Sequence, residues 1–224
     1  HVLKGGSASD ILSITADSTA AATVSGIVDI ENITVVGDAG TFAWTAHDNN
    51  ADTASTITVD ATSMSGGTKA ATINMVAEND AAVIVRGGAG DDTITMSASA
   101  LVDNISGNAG NDTIKFASAN LTATDIVDGG AGTDVLMATD EVAIVDADFT
   151  LVENVETLTG STAAMAVNAT IGGEAAQAGI STVTFVDTAA ATDSLTVAAG
   201  FSSALTVNLD AGAVNTVDAS AFTK

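Results

Sequence analysis

The chain has 224 residues, of which 28 are acidic and 5 basic, for a net charge of −23 although only 15% of residues are charged. Phosphate backbones repel such a surface, because nucleic-acid binding needs a basic stripe that displaces counterions, so DNA and RNA are excluded as partners. With 46% hydrophobic residues and no cysteine, the chain has an apolar core to bury without disulfides or thiolate chemistry, and its self-repelling acid calls for cations.

In chain order, short runs of β-branched residues recur: Asp10 to Thr15, Asn32 to Val36, Ser55 to Asp60, Ala71 to Val76, Asp92 to Met96 and Asp112 to Phe116. They continue through Asp134 to Ala138, Val155 to Thr159, Ser181 to Val186, Asp193 to Ala198 and Ala204 to Leu209. Apolar and polar residues alternate, as in Thr93-Ile94-Thr95-Met96, a period of two that specifies strands and not helices. Glycine turns at Gly5, Gly26, Gly66, Gly87, Gly107, Gly129, Gly172 and Gly212 fall near multiples of 21 residues. Each period holds two strands and two turns, one flattened coil. The predicted fold is all-β, a parallel β-roll or right-handed β-helix of ten or so coils, with about two strands per coil of roughly 21 residues.

Second strands precede three of the turns, at Ala82 to Arg86, Leu101 to Ile105 and Thr124 to Val127, so Ile84, Ile94, Ile105, Ile114, Ile126 and Leu136 are expected to stack inward. Aromatics at 3% and no proline suit a narrow coil in which nearly every amide is a ladder donor. The period loosens after Leu151. Residues 1–150 are therefore read as the coil proper and residues 151–224 as a continuing solenoid or a sandwich-like segment. No apolar run approaches the length of a membrane span, and His1 reads as the start of a fragment.

Three segments share the pattern G-G-x-G-x-D-x-U-x, with U a large apolar residue. They begin Gly87-Gly88-Ala89-Gly90-Asp91-Asp92, Gly107-Asn108-Ala109-Gly110-Asn111-Asp112 and Gly129-Gly130-Ala131-Gly132-Thr133-Asp134, and each is followed by an apolar strand. Spacings of 20 and 22 residues keep them in phase with the strands. The chemistry fits a hard cation: Ca²⁺ takes about six to eight oxygen ligands, glycines let carbonyls curl around it, and the aspartate brings charge. The bland alternative is glycine used only for corners, with the aspartate capping its own turn.

These segments resemble the RTX repeats of proteins exported by bacterial type I secretion, over Gly87 to Met137. The resemblance implies an ion between each pair of stacked turns, with positions two, four and six of the earlier turn and one, three and six of the later as ligands. A first Ca²⁺ would then lie among Gly88, Gly90, Asp92, Gly107, Ala109 and Asp112. A second would lie among Asn108, Gly110, Asp112, Gly129, Ala131 and Asp134. RTX rolls usually carry a nonapeptide in both halves of each coil, whereas here only one half does, so calcium is expected along one edge. Such stretches resemble bacterial surface-layer proteins and large adhesins, as do the phrases Ile30-Glu31-Asn32-Ile33-Thr34-Val35, Val152-Glu153-Asn154-Val155-Glu156-Thr157-Leu158 and Thr216 to Phe222. That likeness implies an extracellular, non-enzymatic protein that self-associates into a lattice or filament, with cell-surface polysaccharide as a further partner.

The ladder is bounded before by a degenerate turn and after by a turnless coil near Leu151, and a second degenerate turn lies near the start of the chain. Gly66-Gly67-Thr68-Lys69-Ala70-Ala71 lacks the aspartate, and its Lys69 ammonium is expected to stand in for an ion; Gly5 to Asp10 keeps the aspartate. His47 with Asp48 reads as a solvated loop, and Phe42 and Trp44 as coil filling rather than a sugar platform. The acidic pairs Asp140 with Glu141 and Glu153 with Glu156 read as surface charge or extra calcium ligands rather than a glycosidase dyad.

Overall fold

The computed structural model describes residues 3–5, 9–15, 21–24, 27–37, 40–47, 55–141, 143–161, 166–186, 192–209 and 215–222. The turns at Gly26 and Gly212, the inner part of the Gly5 turn, and Asp48 lie outside these.

The β-branched runs form short strands, and each pairs in parallel with the run one coil away. One sheet has nine strands: Ala21–Val24, Thr41–Thr45, Ala70–Asn74, Thr93–Thr95, Thr113–Phe116, Val135–Ala138, Thr157–Gly160, Thr182–Thr184 and Thr206–Asn208. A facing sheet has seven, from Ile11–Thr15 through Asn32–Val36, Thr56–Asp60, Ala82–Arg86, Asn104–Ser106 and Ile126–Asp128 to Val152–Glu153. The result is a β-solenoid of about 8 turns of about 22 residues, fewer and slightly longer than the sequence period suggested.

Register turns sequence alternation into a core. Ile73, Ile94, Ile114, Leu136, Leu158 and Val183 align as one row, and Ile33, Val59, Val85, Ile105, Val127 and Val152 as the facing row. Every one of these side chains is buried. Burying a side chain of this size stabilises by about 1.5–3 kcal/mol, so the two rows are the main cohesive element. Phe42 and Trp44 add bulk inside the coil at Thr41–Thr45, both buried.

Two expected core residues point the other way. Ile84 pairs with Asn104 and Asn104 with Ile126, which places all three in the outward row, and Ile126 is 41% exposed. The phase is set by the neighbours Val83, Val85 and Val127, which occupy the inward positions; a one-residue shift exchanges faces in a period-two element.

Beyond Leu151 the nine-stranded sheet continues unbroken in register, Val135 to Thr157, Thr157 to Thr182 and Thr182 to Thr206. Offsets rise to 25 and 24, the first of these coils taking up a short helix at Gly173–Ala178, whereas the 3-10 turn at Asp146–Phe149 is absorbed in the preceding coil without lengthening it. The seven-stranded sheet stops at Val152–Glu153, and a three-stranded sheet of Asn168–Ile171, Ser194–Val197 and Thr216–Asp218 follows. Asp146 stabilises the helix start from a neighbouring coil, accepting the Gly172 N–H at 2.6 Å and the Ala175 N–H at 3.0 Å. Among the described residues no helix is long and apolar enough to cross a membrane.

Corners between the sheets use carboxylates in two ways. On the edge without nonapeptides, Glu78 Oε1 accepts the N–H groups of Asn79, Asp80 and Ala81 at 3.0 to 3.2 Å. Asp103 there takes the Ser97 N–H and hydroxyl, and Asp125 the Thr122 N–H and hydroxyl. These corners are closed mainly by hydrogen bonds within the turn, although Glu78 Oε2 is buried without a partner. At the nonapeptide edge the aspartates serve amides of the preceding coil instead.

Candidate metal centre

The three glycine-aspartate turns follow Ala82–Arg86, Asn104–Ser106 and Ile126–Asp128 and stack directly on one another. Gly87 N–H donates to Ser106 O at 2.8 Å, Gly107 N–H to Asp128 O at 2.9 Å and Gly129 N–H to Glu153 O at 3.0 Å. Ala109 bridges in parallel to Ala131. The alignment brings the sixth-position aspartates into a column: Ala71 N–H donates to Asp92 Oδ1 at 2.6 Å, Asp92 N–H to Asp112 Oδ1 at 2.7 Å, and Asp112 N–H to Asp134 Oδ1 at 2.7 Å. All three aspartates are about 1% exposed.

One oxygen of each is thus committed to the backbone. The second differs by site. Asp92 Oδ2 accepts the Gly88 N–H at 2.6 Å, whereas the Oδ2 atoms of Asp112 and Asp134 are buried without a hydrogen-bond partner. A buried carboxylate oxygen with no donor is costly unless a cation faces it. The position-one glycines make room at that point: a Cβ on Gly87 would overlap both Asp92 Oδ2 and Gly107 O, and one on Gly107 would overlap both Asp112 Oδ2 and Gly129 O. Each turn's aspartate therefore converges with the first carbonyl of the following turn, two of the oxygens expected around each ion.

The remaining expected ligands lie in the same layers, partly engaged. Ala109 N–H reaches Gly88 O at 3.4 Å, Ala131 N–H donates to Asn108 O at 2.8 Å and Gly110 N–H to Ala131 O at 3.0 Å. A carbonyl has two lone pairs, so a second remains for a cation. Gly90 packs against the Lys69 backbone, where any side chain would overlap it. Gly110 has φ 122°, a conformation other residues seldom adopt, and turns its peptide toward the neighbouring coil. Asn108 adopts φ 73° and its Nδ2 donates to Gly87 O at 2.8 Å, which explains asparagine at a glycine position. Outside this column, Asp91, Asn111 and Thr133 form an exposed ladder, with Asn111 N–H to Asp91 Oδ1 at 2.7 Å and Thr133 N–H to Asn111 Oδ1 at 3.0 Å.

Burial dominates the electrostatics. It pushes Asp92 up to about 6 and Asp112 up to about 7, with neighbouring carboxylates adding to the shift, and it raises Asp134 as well. A divalent ion reverses both causes. Among the described residues no three His, Cys, Asp or Glu side chains cluster around a common point. Carbonyl oxygens must therefore complete any shell, which suits calcium. The carboxylate pairs and oxygen-rich layers fit Ca²⁺.

The sequence offered Glu156 as surface charge or an extra calcium ligand but did not place it, or Glu31, in the column. Asp134 N–H donates to Glu156 Oε2 at 2.7 Å, and Asp10 N–H donates to Glu31 Oε2 at the same distance. The surface-layer-like phrases contain these glutamates. Each phrase forms a turn with only one residue, Val155 or Ile30, between its first position and its acid, and a non-glycine residue at positive φ opens it: Asn154 at 54° and Asp29 at 52°. The signal was the recurring aliphatic-glutamate pair after Asn or Asp.

Lys69 sits at the near end of the column. Its Cδ and Cε lie 3.0 Å from where a Gly66 Cβ would stand, so the aliphatic stem covers the first glycine of a turn that has no aspartate. His47 is exposed, and Trp44 is buried and offers no surface to a sugar.

The family of the RTX calcium-binding nonapeptide repeat (4 copies) matches residues 82–95, 97–115 and 123–139. No curated protein and no solved structure matches the chain. The stacked turns at Gly87, Gly107 and Gly129 are RTX calcium-binding nonapeptide repeats, and their cofactor is Ca²⁺.

Proposed function

We propose that the chain is a structural cell-surface protein, an S-layer or extracellular-matrix component, in which Ca²⁺ between stacked turns drives folding outside the cell and then stiffens the coil. The observation that carries this reading is the pair of buried, unpartnered Oδ2 atoms on Asp112 and Asp134, each on a layer lined with carbonyls. One ion is assigned to Gly88, Gly90, Asp92, Gly107, Ala109 and Asp112, and a second to Asn108, Gly110, Asp112, Gly129, Ala131 and Asp134. Ions that bind only the folded state stabilise it by mass action, so a calcium-poor compartment keeps the acidic chain loose and a calcium-rich one folds it.

An uninterrupted parallel stack with an apolar interior suits a scaffold, and we assign no enzymatic activity to it. Self-association into a lattice or filament is the proposed assembly, with cell-surface polysaccharide as a second partner. An adhesin stalk is the main alternative, and the export-folding region of a secreted enzyme the other. Circular dichroism and sedimentation with calcium and with EDTA test the proposal. The expected result is β signal and ordered self-association that both require calcium; a β signal unchanged by chelation rejects the folding role, and a monomer in calcium favours the stalk.

A further inference from the structure

We propose that a further calcium ion is held beyond the last nonapeptide, between the Gly129–Asp134 turn and the glycine-free turn Asn154-Val155-Glu156. The proposal rests on the calcium reading above, but it concerns a turn that lies outside the residues matched as nonapeptides.

Three observations converge there. Asp134 is 1% exposed, and its Oδ2 is buried with no hydrogen-bond partner although Oδ1 is satisfied by the Asp112 N–H. That free oxygen lies 2.9 Å from where a Gly129 Cβ would stand, and the carbonyl oxygen of Asn154 overlaps the same point. This is the relationship that Asp92 Oδ2 and Gly107 O make around Gly87, and that Asp112 Oδ2 and Gly129 O make around Gly107. Finally, Glu156 stands where the next aspartate would, with its Oε2 accepting the Asp134 N–H at 2.7 Å.

The closing turn explains its own residues. A nonapeptide places four residues between its first position and its acid, whereas Asn154 and Glu156 are separated by Val155 alone, which is buried in the core. At that shorter turn the acid is glutamate, one methylene longer than aspartate, and it reaches the Asp134 N–H. Asn154 takes φ 54° to aim its carbonyl back over Gly129, and its Nδ2 anchors the turn on Asp128 Oδ1 at 2.8 Å. The same design recurs where Asp29, Ile30 and Glu31 cover Gly5 and Asp10, so it is a module and not an accident of one loop. Asp134 Oδ2, Asn154 O and the Glu156 carboxylate, with the Gly130 and Gly132 carbonyls at positions two and four, form the inferred oxygen set, and water completes the shell.

The test is anomalous diffraction from calcium-loaded crystals of the whole chain, paired with equilibrium dialysis of ⁴⁵Ca²⁺ against wild type and Glu156→Gln. The expected result is a calcium peak between Gly129 and Asn154, and one bound ion fewer per chain in the variant with its β signal retained. Peaks between the nonapeptides but none beyond Gly129 overturn this site and leave the two-ion reading intact. No peak at any turn overturns both. Should Glu156→Gln lose its fold, the wild-type map alone decides.

Discussion

The backbone N–H of Asp92 donates to Oδ1 of Asp112, twenty residues later, at 2.7 Å in a site where both residues are almost fully buried. One carboxylate thus serves the amide of the preceding coil with one oxygen and presents the other to the layer that follows. Asp112 is expected to touch both nonapeptide ions, Asp92 only the first. Asp112→Ala should therefore lose two calcium ions per chain by isothermal titration and Asp92→Ala one. Equal losses contradict the shared carboxylate.

The metal-free chain should be less stable at neutral pH than in mild acid. Asp92 at about 6, Asp103 and Asp112 at about 7 and the raised Glu78, Asp134 and Asp148 all hold protons in the fold that the unfolded chain releases near pH 4. Between those values the native state binds more protons than the unfolded state, so stability falls as pH rises. In EDTA, Tm should decline from about pH 4 to about pH 7.5. Calcium competes with protons for the carboxylates of Asp92, Asp112 and Asp134 and should flatten or reverse that slope. A metal-free Tm that climbs over this range contradicts the assignment.

Trp44, the one tryptophan, is 2% exposed beside Phe42 in the coil that precedes the Lys69 turn. Its emission should be blue-shifted in calcium and shift to the red on chelation, with a midpoint matching the loss of β signal. Separate midpoints would show that the early coils fold independently of the ions, against the cooperative reading.

The degenerate turn at Gly66 can be converted. Lys69→Gly together with Ala71→Asp produces a complete nonapeptide from Gly66 to Asn74, stacked on the Gly87 turn through the Thr72 to Thr93 register. The double variant should bind one calcium more than wild type. An unchanged count indicates that the ladder ends at Lys69 for a reason other than these two side chains.

The fold was legible because its signals are local and repeated. Alternating runs such as Thr93-Ile94-Thr95 declare a strand, and a fixed interval declares the stack, so the buried row from Ile73 to Val183 follows once the period is known. The strands Ala21–Val24, Thr41–Thr45 and Asn168–Ile171 were harder, as alanine and asparagine dilute their pattern. Phase was harder still: Ile84 and Val85 are both strong strand residues, and only the partner at Ile105 decides which faces inward. The nonapeptide aspartates were readable from spacing. Glu156 was readable only as surface charge or an extra ligand, because its turn is three residues shorter than the motif and its place depends on Asp134 in the coil before.

The carboxylate column has a direction. Ala71, Asp92, Asp112 and Asp134 each donate an amide to a carboxylate of the following coil, and Asp10 to Glu31, Asp103 to Asp125 and Val167 to Asp193 do the same. In these pairs the acceptor comes from the later coil, whereas the exposed ladder from Asn111 N–H to Asp91 Oδ1 and the bond from Gly172 N–H to Asp146 Oδ1 run the other way. A chain assembling from its C-terminal end has each acceptor fixed before the donor arrives, so every new coil docks on a finished template. Assembly from the N-terminal end leaves each outermost coil with open amides until the next one is added. Along this column the two ends of the solenoid are therefore unequal as nuclei.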